Sequence, residues 1–496
     1  MPRLEFLRPA LFGVFALGLS ACAPLAPVVT TDLPPPAVAA PPAPTTPSAA
    51  PSATPLPRPA AAPSTTTAPT TTAAPVAQPA PQSTACPGGV PAATRCLAGR
   101  DTAGAFVLIA IPADWNGHLV LHAHGGPLLG EPRAERTAED LQRWAVMVRA
   151  GYAWAGTSFA QGGVAVRAAA QDMERLRQLF VQHVGAPKRT LLHGQSWGAS
   201  VAAKAAEMFN RAPAGAAAYD AVLLTSGVLG GGTRSYDFRL DLRVIYQWLC
   251  ANHPRPDEPP YPLWMGLPAD STMTPGQLAA RADECLGLRI GAAQRTPEQA
   301  RKLKTIVDVL KIPERSVQTH LNWATFHFRD VAQRSAAAPV FGNRGARYRG
   351  SDNDSALNAA VQRYTADPVA VQRFAQDTDL TGRIGVPVLT VHAIHDPIAF
   401  VELEATFKTT MQGAARGQWL VQTFTDDTEH SYLADPVYPA LLEALLEWAE
   451  QGRKPTPTDV AARCQALEAR YGPGCKFRVD YEPAPLETRV APRLRP

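Results

Sequence analysis

Gly194-Gln195-Ser196-Trp197-Gly198 joins two stretches of opposite character. Before it, the apolar run Thr190-Leu191-Leu192 predicts a short buried strand. After it, Ala199 to Glu207 is built almost entirely of good helix formers. Strand, Gly-x-Ser-x-Gly, helix is the context in which a sharp turn holds a serine hydroxyl above the edge of a sheet. Glycines at 194 and 198 suit a tight turn and a helix packed close to its strand.

Outward from this turn the chain alternates strands and helices. Ala105 to Pro112, His118 to Ala123, Tyr152 to Thr157, Ala221 to Thr225, Val386 to His392 and Trp419 to Phe424 read as strands. Glu139 to Ala150, Val164 to His183 and Tyr438 to Ala449 read as helices, the second with Met173, Leu176, Leu179 and Phe180 on one face. Such alternation predicts an α/β architecture, a mostly parallel doubly wound sheet. The rhythm stops between 233 and 385, where aromatics such as Tyr236, Phe238, Trp248, Trp323 and Phe326 are dense. This stretch reads as a mainly helical cap inserted into a core made of 86–232 and 386–453, and 454–496 as a C-terminal extension. Most of the aromatics are expected to pack inside the cap.

The N-terminal region has a different composition. Arg3 and Arg8 flank a start with few acidic residues, and Pro9 to Leu19 is a short apolar run, the layout of a signal peptide over 1–21. Leu19-Ser20-Ala21-Cys22 resembles the bacterial lipobox. That resemblance implies cleavage before Cys22, lipidation of its thiol and anchoring to the cell envelope, with alanine at 23 favouring the outer membrane. Residues 22–85 are rich in Pro, Ala and Thr and read as an extended, disordered tether. Beyond Cys22, six of the seven cysteines remain: Cys86, Cys96, Cys250, Cys285, Cys464 and Cys475. An even number in an exported chain suggests three disulfides, and spacing favours the three local pairs among 15 possible connectivities. No Cys-x-x-Cys or Cys/His cluster points to zinc. The net charge of +4 is mild, with no basic block interleaved with aromatics, which argues against nucleic acid as a partner.

Three motifs together resemble the serine-dependent α/β-hydrolase superfamily. They occur in the order nucleophile, acid, base, and cover about 97–231 and 386–452. The resemblance implies Ser196 as nucleophile. It implies Asp396 of His395-Asp396-Pro397 as the acid and His430, in the loop Thr425 to Ser431, as the base. His124-Gly125-Gly126-Pro127 would supply an oxyanion hole from the Gly126 amide, joined by that of Trp197. Pro127 has no amide hydrogen to give. No metal or organic cofactor is implied. The expected activity is hydrolysis of a small-molecule ester. His-Gly-Gly-Pro with Gly-x-Ser-Trp-Gly also resembles the prolyl and tripeptidyl aminopeptidase group, which would cleave short peptides. That group commonly has glycine where Leu128 stands, and needs cap carboxylates, for which Glu284 and Asp330 are candidates. A non-catalytic, surface-binding lipoprotein is a further alternative. His395 reads as a loop residue, and Asp426 and Asp427 as solvated loop residues or reserve acids. Asp352-Asn353-Asp354 with Asn358 reads as a helix start rather than a calcium site, and Gly162-Gly163 as a turn.

Overall fold

The computed structural model describes residues 77–210 and 217–496. The expected signal segment, Cys22 and the tether as far as residue 76 lie outside the described residues. The strands are β1 (Gln82–Thr84), β2 (Arg95–Arg100), β3 (Phe106–Ile111), β4 (His118–Ala123), β5 (Ala153–Thr157), β6 (Arg189–Gln195), β7 (Ala221–Thr225), β8 (Val388–Ala393) and β9 (Leu420–Thr425). They form one sheet in the order β1-β2-β3-β5-β4-β6-β7-β8-β9. The β1, β2, β3 and β5 contacts are antiparallel, and all those from β5 through β9 are parallel. This is an α/β-hydrolase fold, with a helical insertion between β7 and β8.

The central strands are apolar on both sides because both faces are covered. Leu119, Leu121 and Leu192 point into one core with helices Val166–His183 and Trp197–Phe209. Val120, Leu191, Leu223 and Leu389 point into the other, with helices Val437–Gln451 and Pro457–Tyr471. The two-residue alternation of a strand divides the same run between two cores. Parallel pairing also aligns strand ends. Ala123 stands beside Gly194, Gln195 beside Thr225, Thr225 beside Val391 and Ala393 beside Thr425. The loops after β4, β6, β8 and β9 therefore leave along one edge, and β4 lies between β5 and β6 at the crossover where such sheets bind ligands.

The elements of the insertion, from Phe238–Cys250 to Pro368–Thr378, are all helices, joined by irregular stretches such as 335–353. Thr274 and Thr296 each begin a helix with a capping box followed by proline. Phe238, Tyr246 and Phe328 are buried, as expected for cap packing, whereas Trp248 is 37% exposed.

Two features depart from the sequence reading, and a third adds to it. The tether ends earlier than residue 85. Gln78 is buried, its amide donating to Gln182 and its carbonyl accepting from His183, and β1 pairs with β2. Main-chain pairing needs no apolar side chain, so composition did not reveal it. The helix expected over Glu139 to Ala150 is two helices, Ala134–Arg143 and Ala145–Arg149, broken at buried Trp144. The C-terminal extension is folded. Its Phe477 bridges Thr425 in antiparallel sense, and Asp426 and Arg478 amides donate to the Lys476 and Phe424 carbonyls.

Disulfides join Cys86–Cys96, Cys250–Cys285 and Cys464–Cys475, which fits maturation in an oxidising compartment. No described helix is long and apolar enough to cross a membrane. Cys250–Cys285 ties two cap helices across 35 residues. Replacing both cysteines with serine should cost about 3–4 kcal/mol through the entropy of the unfolded chain. Urea unfolding of the double variant checks this, and an unchanged midpoint would refute it.

Candidate active site

Ser196 is held at φ 56 and ψ −120 between β6 and the helix Trp197–Phe209. The left-handed region costs a residue with a side chain of the order of 1 kcal/mol or more. The neighbourhood enforces it. The Ser196 amide donates to the Thr225 carbonyl at 2.9 Å, and its carbonyl accepts from Val228 at 3.0 Å. A Cβ at Gly194 would run into the Gly198 carbonyl, and one at Gly198 into the Ala123 carbonyl. Only glycine permits that closeness at both places.

The side chain so presented meets the two loops beyond it. Ser196 Oγ lies 2.8 Å from His430 Nε2, and His430 Nδ1 lies 2.7 Å from Asp396 Oδ2. With Nδ1–H donating to the carboxylate, Nε2 is free to accept the hydroxyl proton. Asp396 Oδ1 accepts from the Ile398 and Ala399 amides at 2.8 and 3.0 Å. Ser196 and Asp396 are buried, and His430 is partly open to solvent.

A second imidazole stands behind Asp396. His392 at the end of β8 is fully buried, with Nε2 3.4 Å from Asp396 Oδ2 and 2.9 Å from the Ala399 carbonyl. Its Nδ1 lies 3.2 Å from buried Glu404, which also accepts from Thr390 and Gln422. Acceptors at both ring nitrogens require both to carry protons. Burial opposes that charge, but Asp396 and Glu404 outweigh it and raise the His392 pKa to about 10. Burial likewise works against charge on Asp396, and His430 and His392 overcome it, holding its carboxyl well below the usual range. The sequence shows His392 only as the last residue of an apolar strand. Its role depends on Glu404, twelve residues on, in a helix the reading passed over.

The loop after β4 is tied down separately. Arg136 donates to the Gly125 carbonyl at 3.1 Å while paired with Asp140. A Cβ at Gly125 would strike the Gln195 side chain. Gly126 follows, exposed, at φ +69. Trp197 is the first residue of its helix, where amides lack intrahelical acceptors. Its indole is buried against Phe159 and His124 and serves packing. From the cap, His327 Nε2 reaches the Pro127 carbonyl at 3.0 Å, and His320 Nε2 reaches the Pro397 carbonyl at 3.0 Å.

Other candidates lie elsewhere. His395 is exposed and contacts Asp426, while Asp427 pairs with Lys476. Glu284 pairs with Arg255 at the surface, and Asp330 with Arg334. Asn353 caps the helix Asp354–Ala360, Asp354 accepts from Ser351, and Asn358 bonds Tyr348. Among the described residues no group of three or more His, Cys, Asp or Glu could hold a metal ion.

No family model and no curated protein matches the chain. Among solved structures it is similar to an esterase from Aspergillus oryzae, at 12% identity and TM-score 0.38, over 76% of this chain and 86% of that one. It is also similar to a rice cell wall degrading esterase from Xanthomonas oryzae (13% identity, 76% and 90% covered, TM-score 0.34). A third is tannin acyl hydrolase from Aspergillus niger (12%, 77% and 83%, 0.37). The fold assignment rests on strand order and on the turn at Ser196.

His392→Gln removes the buried cation behind Asp396. The rate at which a fluorophosphonate labels Ser196 should fall about tenfold, with the acid limb of its pH profile moved upward. An unchanged profile would leave His392 a packing role only. Stability should depend on pH as well. Burial lowers the pKa of His124, His193 and His320 to about 3 and of His327 to about 4. These four contribute stability that is present above pH 6.5 and lost as pH falls toward 4, because the unfolded chain takes up protons first. His392 acts in the opposite sense, its contribution lost as pH rises from 6.5 through about 10. The urea midpoint is therefore expected to peak around pH 6.5, falling steeply on the acid side and gently on the alkaline side. A flat profile from pH 4 to 7 would contradict the burial of these rings.

Proposed function

We propose that this chain is a serine hydrolase of the exported class that cleaves carboxylic esters through an acyl-enzyme. The observation that carries the reading is the hydrogen-bonded series Asp396–His430–Ser196, at 2.7 and 2.8 Å, ending on a serine in a strained turn. His430 Nε2 takes the proton as Ser196 Oγ attacks the ester carbonyl. Asp396 fixes the ring and stabilises it when protonated. Amides of Gly126 and Trp197 receive the developing oxyanion, the second aided by the positive end of its helix. His430 then protonates the leaving alcohol. A water, deprotonated by the same ring, releases the acid and restores Ser196.

An ester is favoured over a peptide amino terminus by the charges of the cap. Glu284 and Asp330, the carboxylates suited to hold an ammonium group, are each engaged by an arginine. Among the described residues, the buried charges of the cap that make no ion pair are cationic, Arg239 and Arg243. We also propose that Cys22 is lipidated and anchors the chain to the envelope, probed by palmitate labelling of the full chain against Cys22→Ser.

Ser196→Ala should lower kcat on 4-nitrophenyl butyrate by about 10⁴- to 10⁶-fold, while the melting temperature stays close to the parent value. Full activity in that variant would sink the mechanism. Hydrolysis of aminoacyl anilides but not of esters would transfer the assignment to the peptidase reading. Failure of a fluorophosphonate to label Ser196 would favour the non-catalytic one.

A further inference from the structure

The first long cap helix, Phe238–Cys250, carries a buried cation that makes no ion pair among the described residues, the nearest acid felt by it being Asp237. Arg239 is 4% exposed. Its Nη1 donates to the Ser235 carbonyl at 3.1 Å, and its Nε is buried with no acceptor among the described residues. No described carboxylate lies within 4.0 Å of it. Neighbouring Asp237 is occupied by Arg493 and Arg495, at 3.5 and 2.7 Å. Burial lowers the Arg239 pKa to about 10, so the group is a cation at neutral pH. Aromatic faces replace part of the lost hydration: its guanidinium carbon lies 4.7 Å from the ring centres of Trp323 and Phe238, and 5.4 Å from that of Tyr236. Ring faces accept N–H groups only weakly, and an unpaired buried charge is what folded chains usually avoid.

Its position is informative. Trp323 opens the π-helical turn Trp323–His327 and stacks on His327 at 4.0 Å, the ring that bonds the Pro127 carbonyl. Phe238 meets His320 edge-on at 5.1 Å, the ring that bonds the Pro397 carbonyl beside Asp396. Arg239 is thus one aromatic ring away from each of the two cap histidines that hold the loops framing Ser196. Its charge contributes to the lowered pKa of both. The Nε–Nη2 edge is the one left over, and that edge matches a planar carboxylate with two parallel hydrogen bonds.

We propose that Arg239, backed by Trp323 and Phe238, is the specificity-determining residue of an acid-binding subsite, and that the ester cleaved at Ser196 carries a free carboxylate. This rests on the ester-hydrolase reading. The carboxylate accepts from Nε and Nη2, completes the guanidinium and fixes which part of the ester enters the cap. A neutral ester of the same shape leaves the cation unpaired and is bound less well.

The test compares 4-nitrophenyl half-esters of succinate, glutarate and adipate with the matching butyrate, pentanoate and hexanoate. 4-Carboxyphenyl butyrate against phenyl butyrate covers the alcohol side. The readout is the ratio of kcat/KM, acid over neutral, within each preparation, which does not depend on the fraction folded. At least one pair should show a ratio of ten or more in the parent. Arg239→Gln should lower that ratio at least thirtyfold, and Arg239→Lys by less, since it keeps charge but not the fork. Parent ratios at or below one in every pair would overturn the subsite, as would a ratio unmoved by Arg239→Gln, the result for a purely structural arginine. Binding gives a readout without turnover. Ser196→Ala should bind monomethyl glutarate at least tenfold more tightly than methyl pentanoate by calorimetry, and lose the difference when Arg239→Gln is added. Equal binding of the two probes overturns the subsite even where esters are hydrolysed. A parent that binds the acid selectively yet hydrolyses no ester overturns the ester reading instead.

Discussion

The close approach of a helix to the strand before it is the constraint on which this site depends. Gly194 and Gly198 leave no room for side chains, so Trp197–Phe209 starts immediately against β6 and Ser196 is forced to φ 56. A strained residue persists only where its surroundings over-determine it. Here a carbonyl from β7 and an amide from the turn beyond it grip the Ser196 backbone from either side. The same closeness puts the helix N-terminus beside the hydroxyl. One packing decision thus supplies a hydroxyl turned toward His430, a positive dipole end and unpaired amides together.

The charges behind the serine are organised with similar economy. Asp396 is fully buried, and an isolated carboxylate there would pick up a proton. Two backbone amides and two imidazoles prevent it. Of the two rings, His430 faces the serine, while His392 faces Glu404 and carries a fixed proton. The acid is therefore supported by a cation that does not face Ser196, and His430 is the ring that does. The His430 loop is braced from outside too. The C-terminal extension pairs Lys476 with Asp427 and runs its main chain alongside the end of β9.

Much of this was legible in the sequence because parallel strands buried on two faces write themselves as unbroken apolar runs. Ala221 to Thr225 is read with both ends in place, and Ser196, Asp396 and His430 follow from the loops that such strands must project. The edge of the sheet is different. β2 reads Arg-Cys-Leu-Ala-Gly-Arg and β1 only Gln-Ser-Thr, so pairing there is carried by main chain and by the Cys86–Cys96 bond. His392 and Glu404 were missed for another reason. A charged pair formed by a strand and a later helix leaves no spacing signal in either segment. Arg239 and Arg243 look like the solvated face of an amphipathic helix, and only the cap folded around them shows that they are buried.

The helix Phe238–Cys250 brings these strands together. On one side its carboxylates Asp237 and Asp241 receive the buried Arg493 from the last residues of the chain, with Tyr348 completing Asp241. Asp241 is hydrogen-bonded within the fold and Asp237 is held by ion pairs, and together they tie the cap to the end of a segment that also pairs Arg489 with Glu402 in the core. On the other side Arg239 and Arg243, one turn apart, face aromatic rings and a phenol rather than acids. Burying two cations without anions is unfavourable for folding alone, and hydrophobic side chains of similar size would pack better there. The same helix shows that this chain can place acids opposite buried arginines. Their omission at Arg239, beside the residues that hold the Pro127 and Pro397 turns, is therefore a selective feature of the cap, located where a bound anion would be read by the site.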